Sequence, residues 1–196
     1  MSLVNLASGG LDSTLVSAMA KREEVDVYPL FINYGQRSAR REWEACQHVH
    51  KTLHLRDPVS MDISGFGHVI QSGLTSTHLD VREDAFTPGR NLMFLLMGCA
   101  YAFQVGADVV SIGLLSERSS FFPDQKGGFL QLAEQAISSS LGRGISIIAP
   151  LFEFTKADVV ALAHEYGIVD TYSCHGGGQP CGRCISCLEF ETMEGG

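Results

Sequence analysis

The sequence predicts an α/β fold, a parallel sheet with helices on both faces. Short apolar runs alternate with segments of helical spacing between residues 3 and 166, and such alternation is typical of strand–helix–strand units. The 196 residues are 45% hydrophobic and 18% charged, a composition that excludes a disordered chain. A chain of this length buries roughly 70% of its unfolded surface, so it needs no disulfide to fold.

Five short apolar runs are the predicted strands, and the longer segments between them are the predicted helices. The strands are residues 3–7, 25–33, 57–63, 109–113 and 145–149. The helices are residues 11–20, 38–53, 91–104, 129–140 and 156–166. Within the second strand, Pro29 predicts an edge or an irregularity, because proline has no amide hydrogen for the ladder. Residues 64–89 are rich in Gly, Ser and Thr and are predicted to form a long functional loop.

Charge and hydropathy narrow the classes of function. The chain has 14 Lys and Arg residues against 22 Asp and Glu residues, a net charge of −8, which argues against direct, sequence-independent nucleic-acid binding. The longest uncharged stretch, residues 91–107, contains Asn91 and Gln104 and is expected to be a buried helix rather than a membrane span. No basic segment precedes the first apolar run, so no export signal is expected. The six cysteines are then expected in a reducing cytoplasm, where metal binding is favoured over disulfides.

The strongest motif is Ser-Gly-Gly-Leu-Asp-Ser-Thr at residues 8–14, between the first predicted strand and the first predicted helix. Its glycines let backbone N–H groups approach an anion, and the helix N-terminus adds a positive dipole end. Ser13 and Thr14 add hydroxyl donors. Asp12 would repel a phosphate, so it is expected to cap the helix or to help hold Mg²⁺. The alternative is a plain glycine turn with an N-cap, but seven such residues at one junction favour a phosphate cradle.

This segment resembles the PP-loop of the ATP pyrophosphatases, a Rossmann-like family that cleaves ATP to AMP and pyrophosphate. The resemblance implies a Rossmann-like PP-loop fold for this chain, with the adenosine near residues 31–34 at the end of the second strand. It also implies that the ATP phosphates are surrounded by Ala7, Ser8, Gly9, Gly10, Leu11, Asp12, Ser13, Thr14, Leu15, Val16 and Ser17.

A second motif consists of Cys174, Cys181, Cys184 and Cys187, with the spacing C-x6-C-x2-C-x2-C. Four thiolates at these intervals can surround one tetrahedral Zn²⁺, and a site with four protein ligands would be structural. A redox pair of cysteines and an iron–sulfur cluster are the alternatives. The composition changes near residue 173 to a tail that has little to bury. We therefore expect a PP-loop ATP-binding domain at residues 1–172 and a zinc-binding tail at residues 173–196.

Together the two motifs resemble the QueC family, the 7-cyano-7-deazaguanine synthases of queuosine biosynthesis, along nearly the whole chain. Further matching segments are residues 34–37, 88–91, 122–124, 150–151, 155–158 and 173–187. The resemblance implies an ATP-dependent carbon–nitrogen ligase. It would convert 7-carboxy-7-deazaguanine to 7-cyano-7-deazaguanine with ammonia, through adenylated intermediates, and would release AMP and pyrophosphate. It also implies a homodimer.

This chemistry suggests roles for individual residues. A carboxylate reacts with ammonia only after one of its oxygens becomes a leaving group, so the site must hold a triphosphate while the carboxylate attacks the α-phosphorus. We expect Asp12 and Ser13 to act in the phosphate cradle, where electrostatic stabilisation is usually the largest catalytic effect. We expect the cations Arg90 and Lys156 to contact the α-phosphate or the substrate.

Three further residues are predicted to bind the substrate, and each has a structural alternative. Arg37 could instead share a solvated helix face with Arg40 and Arg41. Asn91 could cap the helix that follows it. Asp124 could help bind a metal ion or stabilise a Pro-Asp turn.

The chain departs from the usual QueC pattern on the substrate side. Arg118, Phe122, Gln125 and Lys126 stand where the family usually has Asp, Tyr, Cys and Arg, and Glu189 stands where it has Arg. This pattern predicts a shifted acceptor. QueC-like proteins also occur in bacterial antiviral systems, so one alternative is a ligase that joins an adenylated deazaguanine to a protein or another amine. A second alternative is a non-catalytic sensor that binds ATP without releasing pyrophosphate.

Overall fold

The computed structural model describes residues 1–116 and 122–194, so Arg118 lies outside the described residues. Five parallel strands form one sheet in the order β3-β2-β1-β4-β5. The strands are β1 (Ser2–Leu6), β2 (Asp26–Asn33), β3 (Val59–Asp62), β4 (Val109–Ser111) and β5 (Ser146–Ile148). The predicted α/β class and the five predicted strands are confirmed.

The described residues also form seven α-helices and a short 3₁₀ turn at Pro123–Gln125. The helices are α1 (Leu11–Arg22), α2 (Ala39–Thr52), α3 (Gly65–Val69), α4 (Arg90–Val105), α5 (Gly127–Leu141), α6 (Lys156–Glu165) and α7 (Ile185–Glu194). Five of them match the predicted helices. The sequence did not predict α3, which is short, or α7, which begins within the cysteine-rich segment. In the part of the chain that the structure describes, no helix is long and apolar enough to cross a bilayer.

Helices cover both faces of the sheet because side chains alternate along β1. Val4 and Leu6 join the larger core cluster together with Leu95 of α4. Asn5 lies between them in the sequence, and its side-chain amide donates a hydrogen bond to Ser17 of α1. The two helix layers therefore bury the two faces of the same strand, as the alternation of elements predicts.

The outer face of α4 is exposed, which differs from the expectation of a buried helix. Leu95 and Cys99 are fully buried, whereas Leu92 and Phe103 are 44% and 49% exposed. One face of α4 packs on the sheet and on α5, and its outer apolar residues have no layer above them among residues 1–116 and 122–194.

β2 lies between β1 and β3, so the predicted edge position of Pro29 is correct only locally. β3 pairs with β2 only from Leu30 onward. The Leu30 carbonyl accepts the Ala7 N–H on the β1 side, and adjacent residues of a parallel strand bond to opposite sides. Pro29 therefore faces the open space beyond the start of β3, where no amide hydrogen is needed.

β2 and β3 lie on one side of β1, and β4 and β5 lie on the other, so the strand order reverses between β1 and β4. β1 leads through α1 to β2 on one side, while β4 lies on the other side of β1. Parallel α/β sheets bind ligands at the carboxyl ends of the strands at such a switch point. The segments that follow β1 and β4 are therefore the positions where this fold favours a site.

The cysteine-rich tail is more buried than its composition predicts. Cys174 and Cys184 are buried in one cluster with Leu74 and Ala85, which belong to the segment between α3 and α4. That segment, predicted as a functional loop, folds over the cysteines and shields them. The division of the chain into residues 1–172 and 173–196 stays a prediction.

Candidate functional site

A cavity of about 310 Å³ opens at the carboxyl ends of β1, β2 and β4. Among the predicted site residues, those that line it are Ala7, Ser8, Gly10, Leu11, Asp12, Ser13, Arg90, Asn91 and Lys156. The other residues predicted to bind nucleotide or substrate do not line it: Gly9, Thr14, Leu15, Val16, Ser17, Arg37 and Asp124. The switch point thus brings together the phosphate cradle and both predicted cations.

The phosphate cradle is held in shape by its own serines. The Ser8 N–H donates to Ser13 Oγ at 3.1 Å, and the Ser13 hydroxyl donates to the Gly10 carbonyl at 3.3 Å. The first turn of α1 follows directly and lines the cavity. Because the first N–H groups of a helix have no partner within it, this turn presents the positive end of the helix dipole to the cavity.

Gly9 is required by the close packing of α2 against the cradle. Its φ is +78°, and a Cβ there would lie 2.5 Å from both Cys46 N and Glu42 O. Both are backbone atoms, so a side chain could be accepted only if α2 moved away. The glycine therefore serves the packing beneath the loop as well as the approach of an anion above it.

Asp12 does not cap α1, which corrects one of its two predicted roles. The N-cap residue is Gly10, and the Asp12 carboxylate instead accepts two hydrogen bonds from Lys156 Nζ, at 2.8 and 3.0 Å. Lys156 also lies 3.7 Å from Glu189 Oε2. The ammonium group therefore lies between two carboxylates, one from the cradle and one from α7.

A capping box fixes Lys156 at the start of α6. The Thr155 hydroxyl accepts the Asp158 N–H at 3.3 Å, and the Asp158 carboxylate accepts the Thr155 N–H at 2.8 Å. This reciprocal arrangement sets the first helical turn. The segment at residues 155–158 thus positions the lysine, whose side chain then spans the distance to Asp12.

Arg90 begins α4 and lies near two aromatic rings. Its guanidinium carbon is 6.0 Å from the centroid of Tyr34 and 5.9 Å from that of Phe94. Burial raises the pKa of Tyr34, and the charge of Arg90 opposes that rise. Tyr34 therefore lines the cavity in its neutral form, beside the positive charge of Arg90.

The three predicted substrate residues differ in placement. Asn91 lines the cavity and donates to the Asp124 carbonyl at 3.0 Å, so it links α4 to the 3₁₀ turn and does not cap its own helix. Asp124 Oδ1 is buried and has no hydrogen-bond partner among the described residues. Arg37 donates to the Gly73 carbonyl at 3.1 Å and is partly buried, so it does not share the solvated face of Arg40.

Sequence reasoning missed Glu42 as a cavity residue. Its carboxylate accepts hydrogen bonds from Ser38 Oγ at 2.6 Å and from Gln36 Nε2 at 2.9 Å. Burial raises the pKa of Glu42, while these hydrogen bonds and the charge of Arg90 oppose the rise. Glu42 lies one helical turn into α2, and nothing in the local sequence distinguishes it from its exposed neighbours.

The tail contributes four polar residues to the cavity wall, and the sequence singled out only Glu189 among them; they are Ser173, His175, Ser186 and Glu189. His175 Nε2 lies 3.3 Å from Ser186 Oγ, and His175 Nδ1 is buried without a partner in the described part of the chain. Burial, followed by the charges of Arg90 and Lys156, lowers the pKa of His175 to about 4. Burial raises the pKa of Glu189, and Lys156 opposes that rise.

A buried polar network lies beneath the cradle. The Asn5 amide donates to the Ser13 carbonyl at 2.8 Å and to Ser17 Oγ at 2.7 Å, and it accepts from Ser111 Oγ at 2.8 Å. Ser17 Oγ in turn lies 3.4 Å from His50 Nε2. The network joins β1, β4, α1 and α2, and it anchors the first turn of α1 to the sheet.

The four tail cysteines form a cluster that can hold a metal ion. Their Sγ atoms all lie within 4.8 Å of one another, and Cys181 Sγ and Cys187 Sγ are 4.0 Å apart. Backbone N–H groups point at the sulfurs, including that of Cys184 at 3.4 Å from Cys181 Sγ. Four sulfurs at this separation suit a tetrahedral ion with metal–sulfur bonds of about 2.3 Å.

Two solved structures share the architecture of this chain and agree with the predicted α/β fold class. NMN synthetase from Francisella tularensis matches with a TM-score of 0.58 at 14% identity, over 99% of this chain and 76% of that one. A predicted subunit of tRNA methyltransferase from Methanocaldococcus jannaschii matches with a TM-score of 0.51 at 19% identity, over 84% and 75%. At these identities the likeness concerns the fold alone.

Sequence relatives carry the comparison further. The 7-cyano-7-deazaguanine synthase of Campylobacter concisus is 34% identical over 94% of this chain and 89% of its own length. That of Acetivibrio thermocellus is 35% identical over the same shares. The model of the family described as queuosine biosynthesis protein QueC matches residues 2–192, which include both the phosphate cradle and the cysteine cluster. A match across both motifs and the sheet between them places this chain in the QueC family.

Proposed function

We propose that this protein is an ATP-dependent ligase that converts 7-carboxy-7-deazaguanine and ammonia to 7-cyano-7-deazaguanine. The observation that carries the proposal is the phosphate cradle at residues 8–14, which opens into the same cavity as Arg90 and Lys156. The names of the curated relatives support the same activity. AMP and pyrophosphate are the expected by-products.

The reaction needs two activations of one carbon centre. A carboxylate oxygen attacks the α-phosphorus of ATP, the bond from that phosphorus to the bridging oxygen breaks, and pyrophosphate leaves. Ammonia attacks the acyl carbon, AMP departs with the electrons of the carbon–oxygen bond, and the released proton passes to solvent. The amide oxygen then attacks the α-phosphorus of a second ATP, and a second pyrophosphate leaves. Loss of AMP from the carbon and of both amide protons to solvent leaves the nitrile.

The charged residues of the cavity match these charge movements. The cradle and the first turn of α1 would hold the departing pyrophosphate, because their N–H groups and hydroxyls meet the growing negative charge. Lys156 would turn from Asp12 to the α-phosphate when nucleotide enters, and Arg90 would balance the substrate carboxylate. Asp12 would then help hold Mg²⁺, which neutralises part of the triphosphate charge when bound.

We propose Zn²⁺ as the ion of the cysteine cluster. The set of four thiolates suits a closed tetrahedral site, and such a site leaves no position for substrate. Its part in function would be indirect, because His175, Ser186 and Glu189 lie one or two residues from a cysteine of the cluster and line the cavity. The metal would therefore hold the acceptor wall in place.

For the deazaguanine itself, Asn91 and Asp124 are the residues that we propose to bind it. Asn91 lines the cavity, and Asp124 Oδ1, which has no hydrogen-bond partner in the described part of the chain, lies on the turn that Asn91 holds. Arg37 supports this wall through Gly73, and its contact with substrate stays a prediction.

We further propose a homodimer in the cytoplasm. Leu92, Leu96 and Phe103 recur along the outer face of α4 and are 37–49% exposed, and this apolar stripe suits contact with a second copy. Sedimentation of the wild-type protein beside Leu96→Asp tests the dimer. Equal monomer mass for both proteins would contradict it.

The proposed activity is tested by incubation with ATP, Mg²⁺, ammonium and 7-carboxy-7-deazaguanine, with detection by mass spectrometry. The expected products are the nitrile, AMP and pyrophosphate. The exposed Glu153→Gln variant changes one charge outside the cavity lining, so it should form the same products as the wild type. ATP returned intact in the presence of every component would contradict the proposal and favour the sensor.

A second candidate is a ligase that stops at the amide or joins the deazaguanine to a larger amine. It is favoured by the location of Phe122, Gln125 and Glu189, which depart from the family pattern and all line the cavity. Accumulation of amide or adenylate with AMP, and without nitrile, would support this candidate over the first.

A further inference from the structure

We infer that Glu42 recognises the deazaguanine ring by accepting hydrogen bonds from its pyrimidinone edge. This edge carries two neighbouring donors, the N1–H and the 2-amino group, and the two oxygens of a carboxylate match them side by side. The inference rests on the proposed function and deepens it, because the nitrile synthase and the alternative ligase both take a deazaguanine.

The carboxylate of Glu42 has acceptor capacity left. Ser38 Oγ donates to its Oε1 at 2.6 Å, and Gln36 Nε2 donates to its Oε2 at 2.9 Å. A carboxylate has about four lone-pair sites, so each oxygen can accept one further hydrogen bond. Glu42 is partly exposed and lines the cavity, whereas Ser38 and Gln36 are buried. A ligand in the cavity can therefore reach the remaining sites.

The charge of Glu42 is solvated by neutral groups. In the described part of the chain, none of the ion pairs involves it. The other two carboxylates of the lining, Asp12 and Glu189, both contact Lys156, at 2.8 and 3.7 Å. A partly buried charge without a cation gains most from a ligand that donates hydrogen bonds. Glu42 is therefore the carboxylate of the lining that best suits a neutral donor edge.

The surroundings of Glu42 suit a flat ring. Gln36 joins Glu42 to an aromatic surface, because its Oε1 accepts the Tyr34 N–H at 2.9 Å. The rings of Tyr34 and Phe94 lie 5.1 Å apart at 66°, and both residues line the cavity. Gln36 Nε2 also donates to the Ile32 carbonyl at 3.2 Å, which fixes the orientation of its amide. The carboxylate is thus held in place beside a surface on which a planar heterocycle can stack.

A carboxylate also distinguishes the two ring systems that the reaction brings together. Adenine presents the lone pair of N1 beside its 6-amino group, so a carboxylate facing that edge meets one acceptor and one donor. The edge of a deazaguanine presents two donors. Glu42 should therefore favour the deazaguanine and disfavour an adenine at the same place, because two facing acceptors repel each other.

The test compares 7-carboxy-7-deazaguanine with 7-carboxy-7-deazahypoxanthine, which lacks only the 2-amino group. Equilibrium binding to the protein without ATP, and kcat/KM with ATP and ammonium, are measured for both compounds. The wild type should prefer the deazaguanine about tenfold or more, because the analogue leaves a charged acceptor without one hydrogen bond. In Glu42→Ala this preference should disappear, and the KM for ATP should keep its wild-type value.

Two further variants complete the test. Glu42→Gln keeps the shape of the side chain and should reduce the preference, because a neutral amide accepts hydrogen bonds more weakly than a carboxylate. Glu44→Gln is the matched control, since Glu44 also belongs to α2 but pairs with Arg40 at the surface and does not line the cavity. It should keep the wild-type preference.

Three outcomes would overturn the inference. If both Glu42 variants weaken the two compounds in the same proportion, Glu42 only supports the fold around the cavity. If they raise the KM for ATP and leave the preference unchanged, Glu42 faces the nucleotide. If the wild type does not distinguish the two compounds, nothing in the site recognises the 2-amino group.

Failure of the proposed function gives a different result. Binding of the deazaguanine with a preference that depends on Glu42, but without product, would contradict both ligase reactions and support the recognition of the ring. Product formation without that preference would support the ligase and contradict the role of Glu42.

Discussion

The two walls of the cavity are built in different ways. The nucleotide wall is one continuous segment, and its serine contacts join residues three to five positions apart. The acceptor wall is assembled from distant elements, and its bond from Asn91 to Asp124 spans 33 positions. The ion pair between Asp12 and Lys156, which joins the two walls, spans 144 positions. A locally formed wall survives loosening elsewhere in the fold, whereas one made by long-range contacts does not. We therefore expect substitutions in the acceptor wall to impair nitrile formation more than ATP–pyrophosphate exchange.

The largest effect is expected where the two walls meet. Lys156→Ala removes the cation that pairs with Asp12 and Glu189, and we expect pyrophosphate release to slow by about 10²- to 10³-fold. The exposed Lys51→Ala variant, with the same loss of charge, should keep its rate. The measurement is the rate of pyrophosphate release by each variant, from samples quenched at fixed times. A rate for Lys156→Ala equal to that of Lys51→Ala would remove Lys156 from the site.

Loss of a cysteine should damage the acceptor wall alone. Cys184 is fully buried in the cluster, and Cys184→Ser should lose the metal ion and destabilise the protein by more than about 3 kcal/mol, because metal binding there contributes folding free energy. Nitrile formation should fall further than ATP–pyrophosphate exchange. The check is metal content together with a thermal melt.

Cys99→Ser is the matched control, since it also changes a fully buried thiol but lies in α4, outside the cluster. It should keep the wild-type metal content. A melting curve of Cys184→Ser that overlays the wild type would contradict a structural metal.

A smaller effect is expected beneath the nucleotide wall. Gly9→Ala forces a Cβ to within 2.5 Å of the α2 backbone at a φ of +78°, and we expect it to cost about 1–3 kcal/mol of stability. Gly128→Ala, in α5 with nothing near its Cβ, should stabilise the protein by about 0.5 kcal/mol. Denaturant titration measures both. Equal stability of the two variants would show that α2 does not press on the cradle.

The smallest expected effect is a pH dependence from the network under the cradle. Burial lowers the pKa of His50, although the Cys46 carbonyl and the charge of Asp57 oppose this. The unfolded chain therefore takes up the proton first, so this contribution to stability is present above about pH 6.5 and is lost as the pH falls through the lowered folded-state pKa. Between neutral and mildly acidic pH, the stability advantage of wild type over His50→Gln should narrow. The exposed His164→Gln serves as the control, and a constant advantage would contradict the assignment.

The difference between the walls also explains what the sequence could predict. The cradle was predictable because its seven residues and their contacts lie within one stretch of chain, and the order of strands and helices followed from short apolar runs. Lys156 was predictable as a cation, but its partner Asp12 was not, because no local pattern relates residues 144 positions apart.

The acceptor wall was largely hidden from sequence reasoning. α7 begins among cysteines and glycines, which obscured its helical character. His175 and Ser186 each lie within two residues of a predicted metal ligand, and that proximity was the available sign that they are held in place. Glu42 gave no such sign, because only packing shows that it faces the cavity.

The ion pair between Asp12 and Lys156 also determines when the site becomes complete during synthesis on the ribosome. The cradle leaves the ribosome with the first strand and helix, but its cationic partner follows more than a hundred residues later, and Glu189 later still. A nascent chain can therefore form most of the sheet while its site lacks one wall. A growing chain that bound nucleotide at the cradle would still lack Lys156 and Glu189, so we expect it to consume no ATP.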